Sequence, residues 1–431
     1  MDKKEIIKRV KNIKSNSFAK ASFYSAISSI IKILTTFVLG KIIALKLGAE
    51  GMALFGQILN FVTIILMFSG GAIGQGLIKY IAEYNNNRKA EIEKLLSTSL
   101  KIILYSCIFI SVILLLFSSE ISLKVFQTIQ YVNVIKLIGV SVFFFGLNNF
   151  LQSLINGHKL FKEFNLINII ANLLNLVASL ILIYIYGILG VLVSVVVNQI
   201  LILIVTIFFL KKKEFINLNL LKIKFDKHIF KGLMGFYTLS LVSSILSPVI
   251  YILIRMFIMK SISIEASGLF EFALRISNAG LLFFSLSIST YYIPRIAELT
   301  NREEINREVY NTYKITLPIV FLILLLVYLF KEMVIQILAS EEFLKVIPLL
   351  KYQLTGDFFK ICAQIISFVF LARNNIKVAI IMEIVYNLLL YFLVTLLLKK
   401  IGLTGASIAY CCSYLLYFIT YFILFKKNLK L

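Results

Sequence analysis

Shifted by 215 positions, the second half of this 431-residue chain falls on its first. Glu50 meets Glu265, Leu54-Phe55 meets Leu269-Phe270, and Ile81-Ala82-Glu83 meets Ile296-Ala297-Glu298. Further on, Asn172-Leu173-Leu174 meets Asn387-Leu388-Leu389, Gly187 and Gly190 meet Gly402 and Gly405, and Lys211-Lys212 meets Lys426-Lys427. Apolar coincidences are common in a greasy chain, but glycine and polar matches at one spacing are not. Both halves are strongly apolar, which points to a transporter built from two repeats.

The hydrophobic share is 60% and the mean hydropathy +0.94, well outside the range of soluble domains. Twelve apolar stretches approach the length that crosses a bilayer: about 21–46, 52–80, 99–118, 133–156, 164–186, 188–210, 230–258, 266–293, 314–330, 346–371, 377–398 and 402–425. None shows barrel-like alternation, and unpaired strand backbone is untenable in lipid, so the expected class is an all-α membrane protein. Six spans per half give two lobes related by an axis along the membrane normal. The expected division is a basic extension (1–20), an N-lobe (21–210), a basic linker (211–229), a C-lobe (230–425) and a short tail (426–431).

Basic residues set the orientation. They gather in the N-terminal extension, at Arg88, Lys89 and Lys94, at Lys159 and Lys162, and along Lys211–Lys231. Others stand at Arg295, Arg302, Arg307, Lys314, Arg373, Lys377, Lys426, Lys427 and Lys430. The opposite loops hold far fewer, so both termini are expected in the cytoplasm. The net charge of +23 is then positive-inside bias with some attraction to anionic lipid, and nucleic-acid binding is not expected. No small-residue cleavage site follows the first apolar stretch, so no removed leader is expected. Cys107, Cys362, Cys411 and Cys412 sit inside spans without metal spacing. The sequence carries no phosphate loop, nucleophile elbow or zinc motif, so neither an enzyme nor an ATP-driven pump is expected, nor any bound cofactor.

Polar groups at membrane depth are costly, and they usually face a bundle interior or a wet cavity. Lys32 lies mid-span, with Ser25, Ser28 and Thr36 at helical spacing; Lys41 is out of phase with it. Asn165, Asn168, Asn172 and Asn175 make one stripe, and Asn148, Gln152 and Asn156 another. Interhelical hydrogen bonding is one account of these stripes, and a wall that binds sugar hydroxyls is the other. In the second half stand Arg255, Glu271, Arg275, Asp357, Lys360 and Glu383. The spacing of Glu271 with Arg275, and of Asp357 with Lys360, allows ion pairing within one helix. Mid-span acids occur only in this half. Gly70, Gly71, Gly74 and Gly76 permit either close helix packing or a bend.

Several of these segments resemble the Wzx-type flippases of O-antigen and enterobacterial common antigen synthesis, members of the MOP superfamily alongside MATE transporters. The resemblance is carried by Ala19-Lys20-Ala21-Ser22, Gly71-Ala72-Ile73, Lys79-Tyr80-Ile81-Ala82-Glu83-Tyr84, and Gln353-Leu354-Thr355-Gly356-Asp357 with Lys360. Pro248 before Arg255, and Glu383 after Ala379, belong to the same pattern. It covers Phe18 to the C-terminus and leaves residues 1–16 aside.

The resemblance implies a MATE-like carrier in the bacterial inner membrane that moves undecaprenyl-pyrophosphate-linked oligosaccharide outward. It would work with the polymerase and chain-length regulator of the same glycan pathway. Lys32, Lys41, Arg255 and Arg275 are then the expected pyrophosphate partners, with Asn148, Gln152, Asn168 and Asn172 toward the sugar. Asp357, Glu383 and Glu271 are the expected route for a coupling proton or sodium ion. A MATE-like drug antiporter and a peptidoglycan-precursor flippase are the alternatives.

Overall fold

Every regular element that the computed structural model describes is helical; it describes residues 3–84, 89–211, 223–287, 292–373 and 375–428. Of the basic residues assigned to the inner side, Arg88, Lys212, Lys213, Lys222 and Lys430 lie outside the described residues. In chain order the helices are α1 (Lys3–Leu66), α2 (Ala72–Tyr84), α3 (Lys89–Leu116), α4 (Ser118–Phe126), α5 (Val132–Gly157), α6 (Phe161–Tyr186), α7 (Ile188–Leu210) and α8 (Lys227–Ser261). They continue as α9 (Ile264–Ser287), α10 (Ile293–Glu298), α11 (Arg302–Leu329), α12 (Lys331–Leu338), α13 (Ile347–Ala372), α14 (Ile376–Ile401) and α15 (Thr404–Asn428).

Ten elements among the described residues are long and apolar enough to cross a membrane, against the twelve stretches read from the sequence. The difference has two sources. The first two stretches run on as one element, Tyr24–Tyr84, broken at Gly48 (φ 61°, ψ −157°), where the sequence leaves a gap, and again at Ser69 and Gly70. The other is α9, which is not among the ten; Glu271 and Arg275 stand in its middle. Phe109, Leu116 and Phe208 are each about 70% exposed, on spans long and apolar enough to meet lipid. The protein is a multi-pass membrane protein.

Two compact units make up the chain. The first holds Met1–Gly40, Val62–Lys124 and Thr128–Ser244; the second holds Lys41–Phe61, Val125–Gln127 and Ile245–Leu431. In the first unit α6 packs on α7, and α5 packs on α2, α3 and α7. A wide π-type turn, Met67–Gly71, separates α1 from α2, with Gly70 at φ 125°, a conformation open to glycine and strained for other residues. Such a turn disturbs the carbonyls before it, and Asn149 Nδ2 donates to Leu66 O at 3.0 Å. One turn later Gly74 lets Ser153 approach, for a Cβ there would lie 2.6 Å from the serine hydroxyl. The glycine run therefore provides both a bend and close packing.

In the second unit α15 packs on α13 and α14, while α13 also receives α9 and α11. Tyr410, Tyr414, Tyr417 and Tyr421 recur on one face of α15, and Gly356 of α13 lies against the Tyr410 ring. Segment 41–61 of α1 also seats here, through small residues. Gly268 of α9 abuts the Ala49 carbonyl, and Gly56 abuts the Glu271 side chain.

Equivalent glycines repeat in conformation as well as in sequence. Gly187 ends α6 at φ 57° and Gly402 ends α14 at φ 68°. Gly190 and Gly405 then press against the carbonyls of Leu182 and Leu397, again 215 residues apart.

Candidate functional site

The second unit contains three polar clusters at membrane depth. In the first, Arg255 of α8 is 1% exposed and its guanidinium is ringed by acceptors. Nη1 meets Glu271 Oε2 at 2.6 Å, Nε donates to Gln57 Oε1 at 3.0 Å, and Nη2 donates to Gly56 O at 3.1 Å. Gln57, itself fully buried, donates onward to Val125 O at 3.0 Å. The other Glu271 oxygen pairs with Arg275 Nε at 3.1 Å, and the Arg275 guanidinium lies 4.4 Å from the Phe55 ring centre. The pairing of Glu271 with Arg275 along α9 thus forms, and a second arginine joins it from α8. One carboxylate between two guanidinium groups leaves a net positive cluster. Arg255 is committed to protein acceptors, whereas Arg275 keeps 18% of its side chain exposed.

The second cluster surrounds Asp357 of α13, which is fully buried. Its Oδ1 accepts from Ser277 Oγ at 2.6 Å and from Tyr410 OH at 2.8 Å, while Oδ2 has no hydrogen-bond partner among the described residues. Lys360, one turn on, donates to Asn278 Oδ1 at 3.4 Å and sits 5.5 Å from the Tyr414 ring centre. Hydrogen bonds from Asp357 and Lys360 therefore run to different neighbours. In the third cluster Glu383 Oε1 accepts from Ser247 Oγ at 3.0 Å and from Asn387 Nδ2 at 3.1 Å. Lys360 and Glu383 line one cavity of about 380 Å³, together with Tyr251, Tyr386, Tyr414 and Tyr417. Lys41 lies in this unit too, exposed on α1.

The first unit holds the remaining candidates. Lys32 is exposed on α1, and its carbonyl accepts from Thr35 Oγ1 at 3.0 Å and Thr36 Oγ1 at 2.7 Å. The asparagine stripe of α6 divides its roles. Asn165 Nδ2 donates across to Ser25 Oγ of α1 at 3.1 Å. Asn168 and Asn172 turn theirs back along α6, to Phe164 O at 2.9 Å and Asn168 O at 2.7 Å. On α5, Gln152 Nε2 donates to Thr206 Oγ1 of α7 at 3.0 Å. The buried Asn148 Oδ1 and Gln152 Oε1 are without partners among the described residues. Asn165 and Gln152 therefore bridge helices, while Asn168 and Asn172 keep their amide oxygens free of any described bond.

Sequence reasoning missed Gln57, Ser277, Ser247 and the tyrosines. For the tyrosines a signal was present: positions 410, 414, 417 and 421 follow helical spacing. Gln57, Ser247 and Ser277 offered none, because a lone amide or hydroxyl in an apolar span shows no partner until helices are placed.

Known proteins share this arrangement of helices. The chain is 27% identical over 402 residues to the Lipid III flippase of Escherichia coli (strain K12), which covers 93% of this chain and 96% of the relative. A solved inward-facing multidrug resistance MATE family transporter of the MOP superfamily superposes with a TM-score of 0.79 at 16% identity, covering 94% of this chain and 97% of that one. The Lipid II flippase MurJ in its inward closed conformation gives 0.76 at 18% identity, covering 94% and 87%. These likenesses show the fold of MOP superfamily transporters. The model of the polysaccharide biosynthesis protein family matches residues 55–348, and the chain belongs to that family.

Proposed function

We propose that this protein is a flippase for undecaprenyl-pyrophosphate-linked oligosaccharide, such as an O-antigen or related repeat unit, acting by alternating access in the bacterial inner membrane. The observation that carries the reading is the match to a Lipid III flippase over 93% of the chain. Twelve spans in two lobes, with both termini cytoplasmic, is the arrangement it requires. The polar chemistry suits the assignment. A pyrophosphate in a low-dielectric path needs cations that are not already neutralised. Lys32 and Lys41 have exposed side chains, and Arg275 shares its carboxylate with a second arginine. Arg255 has a different role in this reading, holding Glu271 and segment 41–61 in place. Asn148, Gln152, Asn168 and Asn172 present amide oxygens to sugar hydroxyls.

A proton or sodium gradient supplies the energy in this proposal, through Asp357 and Glu383, with Glu271 fixed between its arginines. The polymerase and chain-length regulator of the same pathway are the partners it implies. The test is glycolipid analysis of a strain lacking the gene. Lipid-linked precursor should accumulate on the cytoplasmic face and surface glycan should fall; intact glycan with no accumulation defeats the proposal.

A MATE-like antiporter is the second reading, favoured by the TM-score of 0.79 to a MATE transporter. A shift in drug susceptibility without a glycan defect would select it. Lethality of the deletion would instead select a peptidoglycan-precursor flippase.

A further inference from the structure

We propose that the cavity of the second unit ringed by Tyr251, Tyr386, Tyr414 and Tyr417 is a pyranose-binding subsite, in which Lys360 and Glu383 grip the hydroxyls of one neutral sugar ring. It rests on the reading of the substrate as a lipid-linked oligosaccharide and names where one sugar of it docks. At about 380 Å³ the cavity falls in the size range of small-molecule sites. Its wall matches the two chemistries of a pyranose. Aromatic faces carry negative charge density and pack against the C–H face of the ring. Here the rings are already ordered: Tyr386 and Tyr414 lie 4.4 Å apart between centres, and Tyr386 and Tyr417 lie 5.2 Å apart.

The polar groups suit the hydroxyl rim. Glu383 Oε1 is oriented by Ser247 and Asn387, which leaves Oε2 to accept from a ligand. Lys360 spends one donor on Asn278 and has two left. Charge-assisted bonds of this kind are the stronger ones. The same pair argues against other occupants. A carboxylate beside the lysine repels pyrophosphate and brings the wall to zero net charge. A prenyl tail or apolar drug would strip both charges of water and return no hydrogen bond.

Divergence between the halves gives an independent argument. At the 215-residue offset Tyr251, Tyr386, Tyr414 and Tyr417 replace Thr36, Ala171, Gln199 and Ile202, while Lys360 and Glu383 replace Phe145 and Asn168. The second half instead acquired four phenol rings, a cation and an anion around one space.

Saturation-transfer NMR on the full chain in detergent tests this, with methyl glycosides of hexoses and N-acetylhexosamines as probes. Ring C–H protons should take up saturation with the unchanged protein and with Tyr414→Phe. Binding should fall about tenfold in Glu383→Gln and in Tyr414→Ala, the loss expected for one charged hydrogen bond or one stacking face. Inorganic pyrophosphate at equal concentration should not displace the glycosides. Absence of transfer to every glycoside, displacement by pyrophosphate, or unchanged binding in Glu383→Gln and Tyr414→Ala each overturns the proposal. Thermal melting separates lost binding from lost fold, and Lys360→Gln provides a further variant if Tyr414→Ala does not fold. Flippase and subsite also separate: precursor accumulation on deletion, fully relieved by Tyr414→Ala, removes the subsite alone. Glycoside binding as described, with no accumulation on deletion, removes the flippase reading alone.

Discussion

Asn172 and Asn387 make the same hydrogen bond in opposite halves of the chain, each donating Nδ2 to the carbonyl four residues back, Asn168 O at 2.7 Å and Glu383 O at 2.9 Å. Only Asn387 has a second acceptor, the Glu383 carboxylate at 3.1 Å. Asn387→Ala should therefore cost about 1.5–3 kcal/mol, the range for a bond to a charged group, and Asn172→Ala about 0.5–1.5 kcal/mol. Thermal melting of the two variants in one detergent gives the order directly, and equal losses would contradict it.

The Arg255–Glu271–Arg275 cluster predicts an asymmetric pattern. Glu271→Gln leaves two guanidinium groups facing each other without a carboxylate and should cost about 3–5 kcal/mol. Arg275→Gln leaves the Arg255 pair whole and should cost clearly less. Adding Arg255→Met to Glu271→Gln should recover part of the loss, as a double-mutant cycle would report.

Gly402 ends α14 at φ 68°, and a Cβ there would meet nothing within 4 Å. The cost of Gly402→Ala is thus conformational alone, about 1–3 kcal/mol. Gly402→Asn should lose as much, because ψ −154° lies outside the left-handed helical region that asparagine tolerates. Matching losses in thermal melting of the two variants check this, and a clear recovery with asparagine would contradict it.

Asp226 caps α8 through Oδ1, which accepts from His228 N at 2.8 Å and Ile229 N at 3.1 Å. Those bonds, the one from Ile229 first, hold its carboxyl below the usual value. A depressed folded value means that the contribution is complete above the ordinary aspartate range of about 3.9 and fades as pH falls through the folded value. Protection of the Ile229 amide from hydrogen exchange, taken relative to its intrinsic rate at each pH, should fall over that acidic window in the native protein. Asp226→Asn keeps the acceptor but removes the charge, and its exchange should lack the transition.

For transport, Lys32→Ala and Arg275→Ala should impair flipping, and Lys32→Arg should retain some of it. Complementation of the deletion strain with glycolipid analysis checks the set. Full activity of both alanine variants would sink the role given to those cations.

Much of this was legible because duplication leaves marks that need no partner to be seen. Gly187, Gly190, Gly402 and Gly405 announced themselves in the sequence, and each pair adopts one conformation. Hydropathy located the long helices, with a gap where Gly48 breaks α1 and a stretch over α9 despite Glu271 and Arg275, but gave no sign of the short α4, α10 and α12, which are too brief to stand out in an apolar chain. The interior charges were legible as residues but not as contacts. Arg255 reads as a free cation until Gln57, Gly56 and Glu271 are found around it, and two of those lie nearly 200 positions earlier. Asp357 and Lys360 read as a pair until Ser277, Tyr410 and Asn278 supply nearer partners.

Segment 41–61 belongs by sequence to the first repeat and by contact to the second unit. Dividing the gene at the central linker would therefore not yield two self-sufficient pieces. A fragment starting near residue 230 would lack Gln57, Gly56 and the Ala49 surface, stranding the Arg255 guanidinium and baring Gly268. Only co-expression of the two fragments would restore them, so a split version of this protein should behave as an obligate complementation pair.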